Sequence, residues 1–164
     1  MNDCKYGYDI HDSVMMLSLL RGSTDPNPEA DLGLNSFTYS VMTHEGRLED
    51  SDTVKEAYYL NYPLVAVKAS GDKSYLPESY SSVSVSKSNV ICECVKEAER
   101  TDERILRLYE CMNIRTKAEI SVGENFTKAY LCDLMENEIS ELEIKNGKIA
   151  YTFGGFEIVT VKLK

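Results

Sequence analysis

Two histidines, His11 and His44, are the only imidazoles in 164 residues, and they stand far apart in the chain. A zinc site needs three or four converging ligands, usually His or Cys at recognisable spacing. Cys92-x-Cys94 puts two thiols on one face of a strand, enough to seed a metal site. No second cysteine pair or nearby histidine completes it, so the pair reads as two small apolar residues beside Val90 on a core face. Nucleophilic chemistry has no better footing. The chain contains no Gly-x-Ser-x-Gly elbow and no glycine-rich phosphate loop. Acidic residues are plentiful, but Glu136, Glu138, Glu141 and Glu143 stand around turns and alternating stretches, and they read as a solvated surface. Eleven tyrosines and no tryptophan leave rings that can stack on sugars, although tyrosine is also a good strand residue. Asn125-Phe126-Thr127 is formally a glycosylation sequon and reads here as a turn. On its residues alone the chain has no active site of its own.

Such residues need a frame, and the bulk properties bound it. The length suits a single domain over 1–164 with a core that needs no disulfide or metal. Hydrophobic residues make up 43% and charged residues 27%, the balance of a globular protein. A formal net charge of −9 repels phosphate backbones and anionic lipid, so no nucleic acid and no membrane partner is expected. No apolar run is long enough to span a bilayer. The opening Met1-Asn2-Asp3-Cys4-Lys5-Tyr6 does not read as a signal peptide. Five cysteines is an odd count, and they sit inside apparent strands. Reduced thiols and a cytoplasmic location are expected.

Period-2 alternation dominates the second half. Between Arg115 and Val122, Thr116, Ala118, Ile120 and Val122 face one way, while Arg115, Lys117, Glu119 and Ser121 face the other. Gly123-Glu124-Asn125 then predicts a turn, with 126–132 as the return strand. Strands over 138–144 and 148–153 flank Lys145-Asn146-Gly147, a hairpin signal because both turn positions need positive φ. Further strands are predicted over 82–86, 90–95, 104–112 and 156–163. In the front half, 14–20 is apolar on nearly both faces and predicts a strand covered on both sides. A second front strand is predicted over 36–42, after a surface loop marked by Asp25-Pro26-Asn27-Pro28. Thr53 and Glu56 have capping-box spacing for one short helix, with Pro63 as its stop. The whole predicts an all-β fold, an antiparallel β-sandwich with one short helix.

The opening run Asn2-Asp3-Cys4-Lys5-Tyr6-Gly7-Tyr8-Asp9, followed by 14–20 and Arg21-Gly22, resembles glycoside hydrolase family 38, the α-mannosidases, in the form found in its bacterial branch. Pro28-Glu29-Ala30-Asp31 and Phe37-Thr38-Tyr39 are similar to the loop and strand that come next in the family. Arg107-Leu108-Tyr109-Glu110 with Asn113 and Arg115-Thr116, then 132–138 and Phe156-Glu157-Ile158, resemble the closing strands. Residues 51–73 match only loosely. The resemblance implies a non-catalytic C-terminal β-sandwich region that packs against an N-terminal catalytic domain and shapes its cleft. That catalytic domain, absent from this sequence, would carry a catalytic aspartate and a zinc held by histidine and aspartate. It would cleave terminal α-mannosidic bonds with retention through a covalent glycosyl intermediate. The chain itself would bind no cofactor. Arg21, beside Asn2, Asp3, Lys5 and Tyr6, is the substrate-proximal candidate that the resemblance implies. Its alternative role is to pin loops by pairing with Asp3 or Asp25. A second reading of the chain is a stand-alone carbohydrate-binding or adhesion sandwich.

Overall fold

The computed structural model describes residues 6–68, 77–123 and 125–164. They belong to two compact units, Met1–Ala69 and Ser70–Lys164.

In Ser70–Lys164 the alternating stretches form two antiparallel sheets. Four strands, β3 (Ser84–Val85), β6 (Thr116–Ser121), β10 (Lys148–Phe153) and β9 (Ile144–Lys145), lie side by side in that order. The other sheet runs β4 (Val90–Glu97), β5 (Arg104–Glu110), β11 (Ile158–Leu163), β7 (Ala129–Cys132), β8 (Glu138–Leu142). Strand β6 alternates buried and open as its sequence predicts, with Thr116, Ala118 and Ile120 inward. Ile149 and Phe153 of β10 join them, and Leu106, Leu108, Val159, Val161 and Leu163 face them from the five-stranded sheet. These inner faces make one core, the antiparallel β-sandwich expected from the alternation. Each fully buried Leu, Ile or Phe contributes about 2 kcal/mol from apolar burial alone.

The Asn146-Gly147 turn forms as predicted. Asn146 has φ 51° and Gly147 φ 69°, and Lys145 pairs with Lys148 across it. The predicted strand 138–144 does not run straight into this hairpin. It breaks into β8, which pairs with β7, and β9, which pairs with β10, so one stretch of chain serves both sheets. The hairpin expected at 123–125 is not there. Glu124 lies outside the described residues, but β6 and β7 belong to different sheets. The chain crosses the sandwich between them, and the backbone around Thr127 and Lys128 bonds to Lys164 instead. A turn signal says that the chain reverses, not which strand takes its hydrogen bonds.

One end of the sandwich is closed by Glu110. Its side chain is 0% exposed. Oε1 accepts from Asn89 Nδ2 at 2.8 Å and Met112 N at 2.9 Å, and Oε2 from Phe156 N at 3.0 Å and Ile114 N at 3.2 Å. Asn89 Nδ2 also donates to Thr116 Oγ1 at 2.6 Å. Burial by itself would raise the carboxyl pKa. The four donors outweigh it and hold the group below the ordinary carboxylate range. Beside this clamp, a Cβ on Gly155 would sit 2.5 Å from Asn113 Oδ1 and 3.0 Å from its carbonyl carbon, so only glycine fits there.

The front unit departs further from expectation. A hairpin of β1 (Tyr8–His11) and β2 (Val14–Leu17) forms, with Ile10 opposite Met15. The strand predicted over 14–20 therefore stops at Leu17, and Val14, Met15 and Met16 are exposed rather than covered on both sides. Of the strand predicted over 36–42, the described residues carry a single bridge, at Tyr39. The helix α1 (Thr53–Asn61) forms, but its N-cap is Asp52 and no side chain caps it. Thr53 lies one position inside, where its hydroxyl meets Ser51 Oγ at 2.7 Å instead of a free N–H. Tyr62 ends the helix, stacked on Tyr58, with Pro63 next.

The cysteines of the sandwich behave as small apolar residues. Cys92 packs on the core, and a bulge between Cys92 and Cys94 breaks their common register. Burial pushes the thiols of Cys92, Cys111 and Cys132 up, with the neighbouring Cys94 and Glu110 charges adding to it at the first two. Iodoacetamide at about pH 7.5 is therefore expected to label Cys92 and Cys132 slowly in the native chain and quickly once it is denatured. Equal rates in the two states, read by mass spectrometry, would contradict this burial.

Glu110→Gln places an amide NH2 among four donors and is expected to destabilise the chain by about 3 kcal/mol, because a charge-assisted acceptor is lost in a buried place. The folded pKa is depressed, so the carboxylate's contribution is present above its unfolded pKa, about 4.3. It is lost as pH falls through the lower folded value. Wild-type melting temperature is thus expected to drop on acidification below about pH 4, while the Gln variant, already lower, responds less. Parallel pH profiles for the two proteins would show that Glu110 is not the titrating group.

Candidate functional site

The β1–β2 hairpin has a two-residue turn, Asp12-Ser13, with Asp12 at φ 51°. Its opposite end brings together the residues before β1 and those after β2. Ser18 N donates to Gly7 O at 3.1 Å. The carboxylate of Asp31 then ties both sides. Its Oδ2 accepts from the Tyr6 hydroxyl and, at 3.3 Å, from Gly22 N. Asn35 Nδ2 donates to Asp31 O at 2.9 Å and Gly33 O at 3.2 Å, which steadies the loop carrying the carboxylate.

Of the substrate-proximal candidates, the structure therefore places Tyr6 and the residue after Arg21 on one anchor. Asn2, Asp3 and Lys5 lie outside the described residues. Arg21 is exposed and stands four residues beyond the end of β2 rather than at its last position. Among the described residues no ion pair engages it, Asp25 included. Its guanidinium offers five donors in a planar fork and does not deprotonate, so it can bind hydroxyls or a carboxylate but cannot transfer a proton. The Tyr6 hydroxyl donates its proton to Asp31.

Sequence reasoning missed Asp31 as the organising residue. It recognised the Pro28-to-Asp31 loop only as a similarity. The contact spans 25 residues in sequence, and no local pattern encodes it.

Sequence reasoning also misplaced Glu136. It is not on a solvated face: it is 7% exposed, with φ 67° in the β7–β8 loop. Lys96 Nζ lies 2.8 Å from its Oε1, Arg107 Nη2 lies 3.8 Å away, and Glu99 N donates to Oε2 at 2.8 Å. Lys96, then the Glu99 N–H, hold its carboxyl below the ordinary range, against the effect of desolvation. The loop is fixed further by Asp133, whose carboxylate accepts from the backbone of Met135 and Asn137 and from Asn137 Nδ2, each at 2.9 Å. The positive φ and the facing cations are properties of the folded sheet, so composition alone could not reveal them. Both carboxylates, Glu136 and Asp133, are committed to holding this loop. Among the described residues no three His, Cys, Asp or Glu side chains are arranged to hold a metal ion.

Comparison with known proteins bears on the same segments. Residues 89–161, from the start of β4 into β11, match the glycosyl hydrolases family 38 C-terminal beta sandwich domain. The chain is 35% identical to α-mannosidase 2C1 of Homo sapiens over 168 aligned residues, covering 99% of this chain and 16% of the human protein. It is 33% identical to α-mannosidase G of Dictyostelium discoideum over 113 residues, or 67% of this chain and 10% of that protein. Over 62 residues, 38% of this chain and 6% of the relative, it is 47% identical to an α-mannosidase of Saccharomyces cerevisiae. The chain thus spans only a minor part of the length of the relatives it matches. With two sheets, one shared core and this match in the same residues, the sandwich at 89–161 is similar to the C-terminal β-sandwich domains of glycosyl hydrolase family 38.

Proposed function

We propose that this chain is the non-catalytic C-terminal region of a retaining α-mannosidase, packed against the catalytic domain of the same polypeptide and helping to shape its cleft. The observation that carries this reading is the coverage: 99% of this chain aligns within α-mannosidase 2C1 of Homo sapiens but accounts for 16% of it. The substrate of the whole enzyme is then a terminal α-mannoside. The zinc and the nucleophilic aspartate belong to the catalytic domain, where the metal would orient sugar hydroxyls and offset charge. Free thiols at Cys92, Cys94, Cys111 and Cys132 support a reducing, cytoplasmic setting. The segment Asn2-Asp3-Cys4-Lys5-Tyr6-Gly7-Tyr8 supports the bacterial branch of the family, whereas the relatives compared here are eukaryotic.

Within this reading Arg21 reaches the cleft from the hairpin end that Asp31 organises, with Asn2, Asp3, Lys5 and Tyr6 beside it. Its fork donates to substrate hydroxyls or to a carboxylate of the catalytic domain.

The 164-residue chain alone is expected to hydrolyse no aryl α-mannoside above a buffer blank, since the groups that lower the barrier lie in the other domain. Chelator-sensitive turnover by the pure chain would overturn the reading. Mannose binding without turnover would favour a stand-alone carbohydrate-binding module. In the complete enzyme, Arg21→Ala is expected to lower kcat/KM on an α-mannoside by at least about tenfold, roughly 1.4 kcal/mol of transition-state binding. Unchanged turnover with a lowered melting temperature would assign Arg21 to loop support instead.

A further inference from the structure

The turn between β9 and β10 holds a reactive pair that the α-mannosidase reading does not use. Asn146-Gly147 is the only Asn-Gly in the 164 residues. An asparagine amide is open to attack by the next residue's backbone nitrogen when that residue is glycine, because no Cβ crowds the approach. The folded chain adds to this. Asn146 and Gly147, at φ 51° and 69°, are the two central residues of a tight hairpin turn. The Asn146 side chain is exposed, and among the described residues nothing hydrogen-bonds it and no acceptor takes the Gly147 N–H. By contrast, Asn35, Asn61, Asn89 and Asn137 each donate their side-chain amide to a fixed acceptor. Strand β9 is only Ile144-Lys145 and lies at the edge of its sheet, so little free energy holds the turn shut.

We propose that Asn146 is a site of spontaneous modification, where the side-chain amide is lost and isoaspartate breaks the β9–β10 hairpin. The Gly147 nitrogen bonds to Asn146 Cγ, the Cγ–Nδ2 bond breaks, and the Gly147 proton passes through solvent to the departing nitrogen, which leaves as ammonia. Water then opens the resulting succinimide ring. Attack at Cγ gives aspartate, and attack at the main-chain carbonyl gives isoaspartate. The reaction needs no oxidant, metal or enzyme, and the proposal does not rest on the α-mannosidase reading. A turn of this kind holds ψ of its first residue near about +30°, and the ring requires a value far from it. Attack therefore waits for the turn to open. Isoaspartate then puts one extra carbon into the main chain of a two-residue loop. Loop length sets hairpin register, so Lys145 and Lys148 no longer stand opposite each other. Gly147 O, which accepts from Val122 N at 2.9 Å, shifts with the loop, and Ile144 loses its place against the core.

The test is incubation of the folded 164-residue chain at mildly alkaline pH, followed by peptide mass spectrometry that separates aspartate from isoaspartate. Asn146 is expected to convert before any other asparagine. Its rate in the folded chain is expected to lie within about tenfold of the rate in urea, as for a segment of low local stability. Gly147→Ala is expected to slow conversion at least about tenfold, since a Cβ then crowds the attacking nitrogen. The isoaspartate form, isolated by ion exchange, is expected to melt about 3 °C or more below Asn146→Asp, which carries the same charge but keeps the loop length. Conversion more than about 100-fold slower in the folded chain than in urea would show that the turn protects the amide, and would overturn the proposal. Earlier loss at another asparagine would do the same. An isoaspartate form that melts together with Asn146→Asp would remove the proposed break of the hairpin.

Discussion

An ionised carboxylate that water cannot reach is stable only where the protein replaces the whole of its hydration, and Glu110 is such a case. It is the last residue of β5. Its four donors come from Asn89 just before β4, from Met112 and Ile114 in the connection to β6, and from Phe156 just before β11. One side chain therefore fixes the ends of three neighbouring strands in one sheet and, through Asn89 and Thr116, the start of a strand in the other. The order of the sandwich at this end depends on it. The sharp backbone at Asn113, φ 57°, and Phe156, φ 56°, is held where the loops wrap the carboxylate and hand it their N–H groups. The missing Cβ of Gly155 is what lets the two loops come close enough to share it.

The outer face of the five-stranded sheet is organised by the opposite logic. There the cations stand on the strands, Lys96 on β4, Arg107 on β5 and Lys162 on β11, and the anion is brought by a loop. Lys162 Nζ donates to Glu136 O at 2.7 Å and Arg107 Nη2 to Leu134 O at 3.0 Å, so the β7–β8 loop is drawn down by its carbonyls as well as by its carboxylate. Lysines with long apolar stems cover the sheet while their charges meet the loop. Ionisable groups of the kind that catalyse elsewhere are thereby spent on geometry.

The contrast with the front unit carries the functional meaning. The sandwich buries its own core, with Phe153, Ile120 and Leu163 fully enclosed. The hairpin of β1 and β2, tied at its open end by Asp31, exposes apolar side chains on both faces. Arg21, four residues past β2, is exposed.

Elements with short-range causes were legible from residue types and spacing. Alternation at 115–122 placed Thr116, Ala118 and Ile120 inward, because the side-chain period of a strand is two wherever it lies. Asn146-Gly147 fixed a hairpin, because few residues accept positive φ twice in succession. The ordered set of small motifs carried the resemblance to family 38. Whatever depends on a partner far along the chain was settled only by the folded arrangement. Folding assigned β6 and β7 to different sheets, and it broke 138–145 into strands of two sheets. It also buried Glu136 under Lys96 and joined Tyr6 to Asp31. It also left a single bridge, at Tyr39, where a longer strand over 36–42 was expected. The physical reason is the same throughout: a residue's type sets what it can do, while the core and the hydrogen-bond partners that arrive from elsewhere set which of those things it does.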